Sequence, residues 1–419
     1  MVKADSDKYK NMLKEVRKLC EKLNDIIDDD IVIRILTKCQ ESVIVIGESL
    51  EKIERANEKE VLKKLQTVNK LEQLCELLYQ YSQKMERNIR KEIIRIIDNI
   101  ICDIDTIPRT YRVTFLPYKA AMWDSLESIW REFAASDECE TSVVPIPYFE
   151  ANRKTNQWDT CYEGNKYPDY VPVVNFQDYL LGQKRPDLVF VHNPFDQFNN
   201  VTTVHPAYYS AELKKSCGKL VYVPYYVNPG FISDDYNELP LLYRSDYIIV
   251  QSEKAKETCK DFPYYNRVLA LGSPKFDKVV NLYNEKVAPP EEWNINLEGK
   301  KCILLNTTLT DFLESGELLM NKLYKMFEIA LDRNDIVIVW RPHPLLKGTV
   351  KAMRPQYIEK YDELVQYFID NKVGVYDTTA DVSRAVAVSD AYVGSHYSSI
   401  IALFEVINKP IFRIDSKKF

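Results

Sequence analysis

The stretch "VIVWRPHPLL", Val337 to Leu346, decides how the rest of the chain is read. Val337 to Trp340 are β-branched or aromatic and read as a buried strand. The strand then meets Arg341, Pro342, His343 and Pro344. Prolines fix φ and remove backbone donors, so neither strand nor helix runs through them. A cation and an imidazole are therefore held on a stiff turn at a strand's carboxyl end.

Working outward, the same pattern repeats on both sides. "KCILLNTT" reads as a strand, followed by a helix through Glu314 to Ala330 and the strand "DIVIVW". A helix near 356–370, the strand "VGVYD", a helix about 382–388, the strand "AYVGS", the helix "SSIIALFEVI" and the strand "PIFRI" follow. Upstream, "YRVTFL", "TSVVPIPYF", "PDLVFVHNPFD", "KLVYVPYYV", "SDYIIVQS" and "NRVLALGSPKFD" are short β-rich runs separated by helix-like segments. Such alternation implies parallel sheets covered by helices, an α/β fold. "EKVAPPEEWNINLEGK", residues 285–300, reads as a linker between an α/β region at 108–284 and another at 301–419. Ligands of open parallel sheets bind beyond the carboxyl ends of the strands, so the strand-end residues are the functional candidates.

Residues 1–105 have a different texture. Leu65, Val68, Leu71, Leu74, Cys75, Leu78 and Tyr81 recur at helical spacing, as do Ile89, Ile93, Ile96, Ile97, Ile100, Ile101 and Ile104. The spacing predicts three or so long helices in an all-α hairpin or bundle that serves self-association or spacing. Basic positions Arg87, Arg90, Lys91 and Arg95 raise a second reading, docking on a membrane surface.

Composition narrows the function. The chain has 419 residues, a net charge of -6 and 46% hydrophobic residues. A nucleic-acid protein is expected to carry a basic field, which this chain lacks overall. Nine cysteines are scattered with no C-x-x-C pair, which argues against a zinc ribbon and fits a reducing cytoplasm. No apolar run approaches the length of about 20 residues needed to span a bilayer. Neither a dinucleotide fingerprint nor a P-loop occurs, so no resident cofactor is expected.

Of the four histidines, His192, His343 and His396 fall at or just after strand ends, and His205 lies in the loop following one. His192 and His205 lack a carboxylate pair at matching spacing, so no metal site is expected. His192 follows a strand directly, with Asp196 four residues on to orient it, as a candidate general base; His205 is the other. Arg341 offers a planar fork and His343 a donor suited to phosphate oxygen. In "SDAYVGSHYSSIIALFEVI", Ser395, His396, Ser398 and Ser399 lie between a strand and a helix N-terminus, where an anion is favoured. Capping and anion binding use the same geometry there, and again at Thr307, Thr308 and Thr310 in "NTTLTDF". Asp377, closing "VGVYD", is a further donor-side candidate.

"WRPHP", followed some fifty residues on by "SDAYVGSHYSSIIALFEVINKPIF", resembles the carboxyl half of the CDP-glycerol glycerophosphotransferases. "LALGSPKFD" resembles the G-x-P-R-x-D that closes their first domain, and the resemblance extends over about 110–419. It implies two Rossmann-like domains in a GT-B arrangement, after the all-α module. It also implies transfer of glycerol phosphate, or a related alditol phosphate, from a CDP-activated donor to an acceptor hydroxyl, with release of CMP. Such enzymes build teichoic acid, capsule and related polymers at the inner face of bacterial cell membranes. By position, Arg341 and His343 would neutralise the donor pyrophosphate, with Ser395, His396, Ser398 and Ser399 beside them. The acceptor would be a polyol- or sugar-phosphate, including lipid-linked forms. Two departures stand out: the family's T-D-Y-S-S is "SHYSS" here, and the segment that carries its H-G histidine reads "VYVPYYVNPGF". The chain also ends soon after "PIFRI", where the family's second domain continues with further helices. A nucleotide-sugar glycosyltransferase and a degenerate scaffold are the alternatives.

Overall fold

A computed structural model describes residues 3–23, 26, 28–51, 58–107, 110–152, 155–228, 234–295, 297–379 and 381–414. The end of "VYVPYYVNPGF" and the terminal "DSKKF" lie outside the described residues. Four helices, where sequence spacing suggested three or so, form the first module: α1 (Lys3–Lys22), α2 (Asp29–Glu51), α3 (Glu58–Gln83) and α4 (Arg87–Thr106). On α2 the buried positions are Val32, Leu36, Cys39, Val43, Ile46 and Leu50, alternating steps of four and three. That spacing keeps one apolar stripe facing neighbouring helices. Ile93, Ile96, Ile97, Ile100 and Ile104 do the same on α4. The module's core runs from Tyr9 to Ile107 and includes no residue of the α/β region. The predicted stripe on α3 divides: Val68, Leu71, Leu74, Leu78 and Tyr81 are buried, whereas Leu65 is 53% exposed.

The next region supplies β1 (Tyr111–Leu116), β2 (Cys139–Val143), β3 (Tyr148–Asn152), β4 (Gln157–Cys161) and β5 (Leu188–Val191). β6 (Thr202–Val204), β7 (Lys219–Tyr222), β8 (Tyr247–Val250) and β9 (Val268–Ala270) follow. A six-stranded sheet has the order β2-β1-β5-β7-β8-β9, all neighbours parallel. β4-β3-β6 form a small antiparallel sheet; its strands leave from the carboxyl ends of β2 and β5.

The last region supplies β10 (Lys301–Thr307), β11 (Ile336–Pro342), β12 (Gly374–Tyr376), β13 (Ala391–Ser395) and β14 (Ile411–Ile414). Their order is β12-β11-β10-β13-β14, again parallel. The central strands are apolar almost throughout because helices cover both faces.

The helix Pro274–Asn284 couples the two sheets. Lys275 Nζ holds both oxygens of Asp124 at 2.8 Å on the first domain. Lys278 pairs with Asp381, just beyond the carboxyl end of β12, at 3.3 Å. Val227, Val279 and the linker residue Trp293 are buried in the same core as Leu304, Val339 and Tyr392. The carboxyl edges of the sheets therefore meet in one cleft, the GT-B arrangement.

Candidate active site

The second sheet reverses direction between β10 and β13, where the strands' connections leave to opposite sides and open a crevice. Gly394 permits this closeness: a Cβ there would lie 2.3 Å from the Asn306 carbonyl oxygen. Thr308 and Ser395 flank the crevice with their hydroxyl oxygens 3.2 Å apart. Thr308 caps the helix Leu309–Leu331 by accepting the Asp311 amide N–H, and it donates to Asp311 Oδ2 at 2.7 Å. The amides of Leu309 and Thr310 that open this helix are the groups a helix start presents to an anion.

His343 stands at the rim. Its amide donates to the Thr307 carbonyl at 2.9 Å, which fixes the Pro-His-Pro turn to the end of β10. Its Nδ1 accepts the Leu345 amide at 3.2 Å. The neutral ring therefore carries its proton on Nε2, which has no protein partner among the described residues. Burial holds the His343 pKa below its usual value. His343 is thus a fixed neutral donor beside a helix N-terminus.

Arg341 does not join it. The guanidinium is buried and pairs with Asp377 Oδ2 at 2.5 Å, with Thr379 Oγ1 at 3.2 Å and the Thr379 carbonyl at 2.6 Å. Asp377 in turn accepts from Trp293 Nε1 at 3.1 Å. The expectation that Arg341 and Asp377 serve the donor is corrected: each neutralises the other and fastens the linker to β11. Thr307 is buried, and its hydroxyl accepts from Trp340 Nε1 at 3.3 Å. The buried Ser398 hydroxyl accepts the Ile400 amide at 3.2 Å, so it is a capping group. Ser399 precedes the helix Ile400–Val406 without a side-chain capping bond and is exposed. His396 is exposed, its ring 3.7 Å from that of Tyr397.

The first domain alters the acceptor-side expectation more. His192 is fully buried. Its Nε2 accepts the Tyr118 amide at 3.1 Å. Ser125 Oγ donates to the Met122 carbonyl at 2.7 Å, so His192 Nδ1–H donates to Ser125 Oγ at 2.9 Å. Burial, with the nearby Lys275 charge, lowers its pKa to about 3. With both nitrogens engaged, His192 is a structural histidine and not a base. Asp196 does not orient it. Its carboxylate accepts the Ser210 amide at 2.9 Å and the Ser210 hydroxyl at 2.5 Å, at the start of the helix Ser210–Ser216. His205, in the turn after β6, accepts the Ala207 amide on Nδ1 at 3.3 Å and leaves Nε2 without a protein partner among the described residues.

Sequence reading missed the groups around His192. Its ring meets Tyr118 and Tyr225 edge-on at 5.4 and 6.2 Å, and Tyr118 meets Tyr148 at 5.4 Å. Lys119 Nζ lies 5.1 Å from the Tyr148 ring and pairs with Glu150 at 2.5 Å. Lys119 follows the end of "YRVTFL" as His343 follows "VIVW", so the strand-end rule contained the signal. Tyr225 occupies the segment where the resemblance would place H-G.

Among the described residues, no cluster of three or more histidines, cysteines or carboxylates could hold a metal ion. No described helix is long and apolar enough to cross a membrane.

No curated protein matches the chain by sequence. Among solved structures, a UDP-bound complex of MnaA from S. aureus matches at 14% identity and a TM-score of 0.43, covering 72% of this chain and 78% of that one. UDP-GlcNAc 2-epimerase from Methanocaldococcus jannaschii matches at 15% identity and a TM-score of 0.44, covering 72% and 82%. The wall teichoic acid polymerase TagF, in its H548A form, matches at 14% identity and a TM-score of 0.42, covering 85% and 79%. With every one of these scores under 0.5, the fold assignment stands on the sheet topology itself. Residues 227–416 match the family described as CDP-glycerol:poly(glycerophosphate) glycerophosphotransferase, a narrower span than the 110–419 of the sequence resemblance. That span holds the whole second sheet and its open crevice.

Proposed function

We propose that the chain transfers glycerol phosphate, or a related alditol phosphate, from a CDP-activated donor to an acceptor hydroxyl in bacterial surface-polymer synthesis. The observation that carries this reading is the open crevice between β10 and β13. There a neutral histidine donor, two hydroxyls and the start of a long helix converge inside the family-matched span. The donor pyrophosphate lies against His343 Nε2–H and the amides of Leu309 and Thr310, with the Thr308 and Ser395 hydroxyls beside it. The acceptor oxygen attacks the β-phosphorus in line. The bond to the bridging oxygen breaks, its electron pair leaves with CMP, and the acceptor proton passes to solvent. Loose phosphoryl-transfer transition states need positioning and charge stabilisation more than a strong base. A poised histidine base is therefore not required, and no resident cofactor is called on.

The acceptor reading is a polyol- or sugar-phosphate, lipid-linked at the inner membrane face, held by His205 Nε2–H and the Tyr118–Tyr225 aromatic cluster. The helical module supports self-association. The test is product analysis with CDP-glycerol and with UDP-sugars. CMP release that depends on a polyol-phosphate acceptor and falls about 100-fold in His343→Ala is expected. Release of UDP from a nucleotide sugar, with no CMP from CDP-glycerol, would overturn the reading.

A further inference from the structure

Between α2 and α3 the helical module leaves an open groove of about 560 Å³. Val43, Val68 and Leu71 line its floor, and Ile44 and Tyr79, 50% and 55% exposed, line its sides. Gly47 lies in it with nothing within 4 Å of where a Cβ would be. The charged residues lining the groove are Glu48, Glu51, Glu72 and Glu76, and none is in an ion pair with a described cation. Four carboxylates repel an anionic lipid surface, so a membrane is a poor occupant.

The stripe on α3 points to the occupant. Val61, Leu65, Val68, Glu72, Cys75 and Tyr79 follow steps of four and three, the spacing of a coiled-coil seam. Val61 and Leu65 are 47% and 53% exposed, so this face extends past the groove. The stripe is also a mirror of itself about residue 70. Run against a reversed copy, Val61 meets Tyr79, Leu65 meets Cys75, and Val68 meets Glu72. One charge pair follows the same symmetry, with Lys64 towards one end and Glu76 towards the other. Reversal places Lys64 of one copy opposite Glu76 of the other. Within its own chain, Lys64 Nζ also reaches the Glu51 carbonyl at 3.1 Å.

We propose that a second copy of this chain docks here, its α3 lying antiparallel in the groove about a two-fold axis near residue 70. The inference rests on the reading that the helical module self-associates, and it adds the surface and the register. A two-fold contact uses the same patch twice and needs no second binding surface. The stretch from residue 61 to 79 is about 27 Å long, and α2 widens it.

Leu65→Cys in a Cys102→Ser background tests the register, because Cys102 is the exposed native thiol. Sedimentation should give a particle of twice the chain mass. Mild oxidation should link Cys75 of one copy to the cysteine introduced at position 65 of the other, mapped by peptide mass spectrometry. Glu76→Lys, at an exposed residue whose side chain bonds only Gln80 among the described residues, should weaken the dimer about tenfold with unchanged circular dichroism. Adding Lys64→Glu to the same chain should restore it. A dimer without the 65–75 link would overturn this surface and leave self-association standing. A monomer at tens of micromolar would overturn both. Neither outcome touches the transferase reading.

Discussion

The two α/β domains each contain a crevice where the strand order reverses, and they treat it in opposite ways. In the second sheet the reversal between β10 and β13 is lined by Thr308 and Ser395 and overlooked by the open Nε2 of His343. In the first sheet the reversal falls between β1 and β5. There His192 fills it, tying the Tyr118 amide at the end of β1 to Ser125. The same residue type after the same kind of strand keeps a ring nitrogen without a protein partner among the described residues in one domain and is an internal staple in the other. The deciding quantity is whether both ring nitrogens find protein partners. A buried imidazole with both nitrogens satisfied has no vacancy for substrate, whereas one with a single backbone bond keeps a directed donor.

Four variants would break or sharpen that contrast. The largest effect is expected at Arg341. Arg341→Ala removes the partner of a fully buried carboxylate, and urea denaturation should show a loss of about 3–5 kcal/mol. A stable Arg341→Ala protein with weakened donor binding would instead return Arg341 to the pyrophosphate.

His192→Ala should follow, costing about 2–4 kcal/mol through a cavity and an orphaned Tyr118 amide. Turnover per folded molecule should change less than about threefold, on the premise that His192 touches no substrate. The same residue predicts a pH dependence. Its folded pKa, about 3, lies below the ordinary 6.5, so the unfolded chain binds more protons between those values. The His192 contribution is therefore present above about pH 6.5 and is lost as pH falls towards 3. A denaturation series should show a shallower acid slope in His192→Ala than in the parent.

His343→Ala should reverse that profile. The side chain is half-buried with one weak backbone bond, so stability should fall by about 1 kcal/mol or less. kcat/KM for CDP-glycerol should drop about 100-fold. If His192→Ala and His343→Ala exchanged these outcomes, the contrast between the crevices would fail.

Ser399→Ala should give the smallest effect. The exposed hydroxyl caps nothing, so stability should stay within about 0.5 kcal/mol. A donor KM that stays within about twofold of the parent would confine the anion site to the β10–β13 crevice. A KM rise of tenfold would extend it to the "SHYSS" turn.

The α/β class, the helical module and the strand ends were legible in sequence because each rests on local periodicity. β11 stops at Pro342, where two prolines interrupt the run, and the stripe on α2 repeats every three or four residues. The fourth helix was not separated from its neighbours because no proline divides "YSQKMERN", where a three-residue break suffices between α3 and α4. The roles of the strand-end residues were less legible. Arg341 and His343 differ by two positions and read alike as phosphate ligands. Yet Arg341 lies inside β11, where Asp377, 36 residues on, meets it beyond the end of β12, whereas His343 lies past the strand's end at the rim.

By itself, the sequence determined which segments become strands and helices, where each stops, and therefore which residues reach the cleft. Backbone propensity, proline placement and apolar spacing act over a few residues and need no partner from elsewhere. Only the tertiary structure decided which of those residues remain available. The Asp377 that answers Arg341, the Tyr118 amide that closes His192, and the Thr307 carbonyl that fixes His343 come from other strands and loops. A polar group's function depends on whether such partners satisfy it, and chain spacing does not encode that.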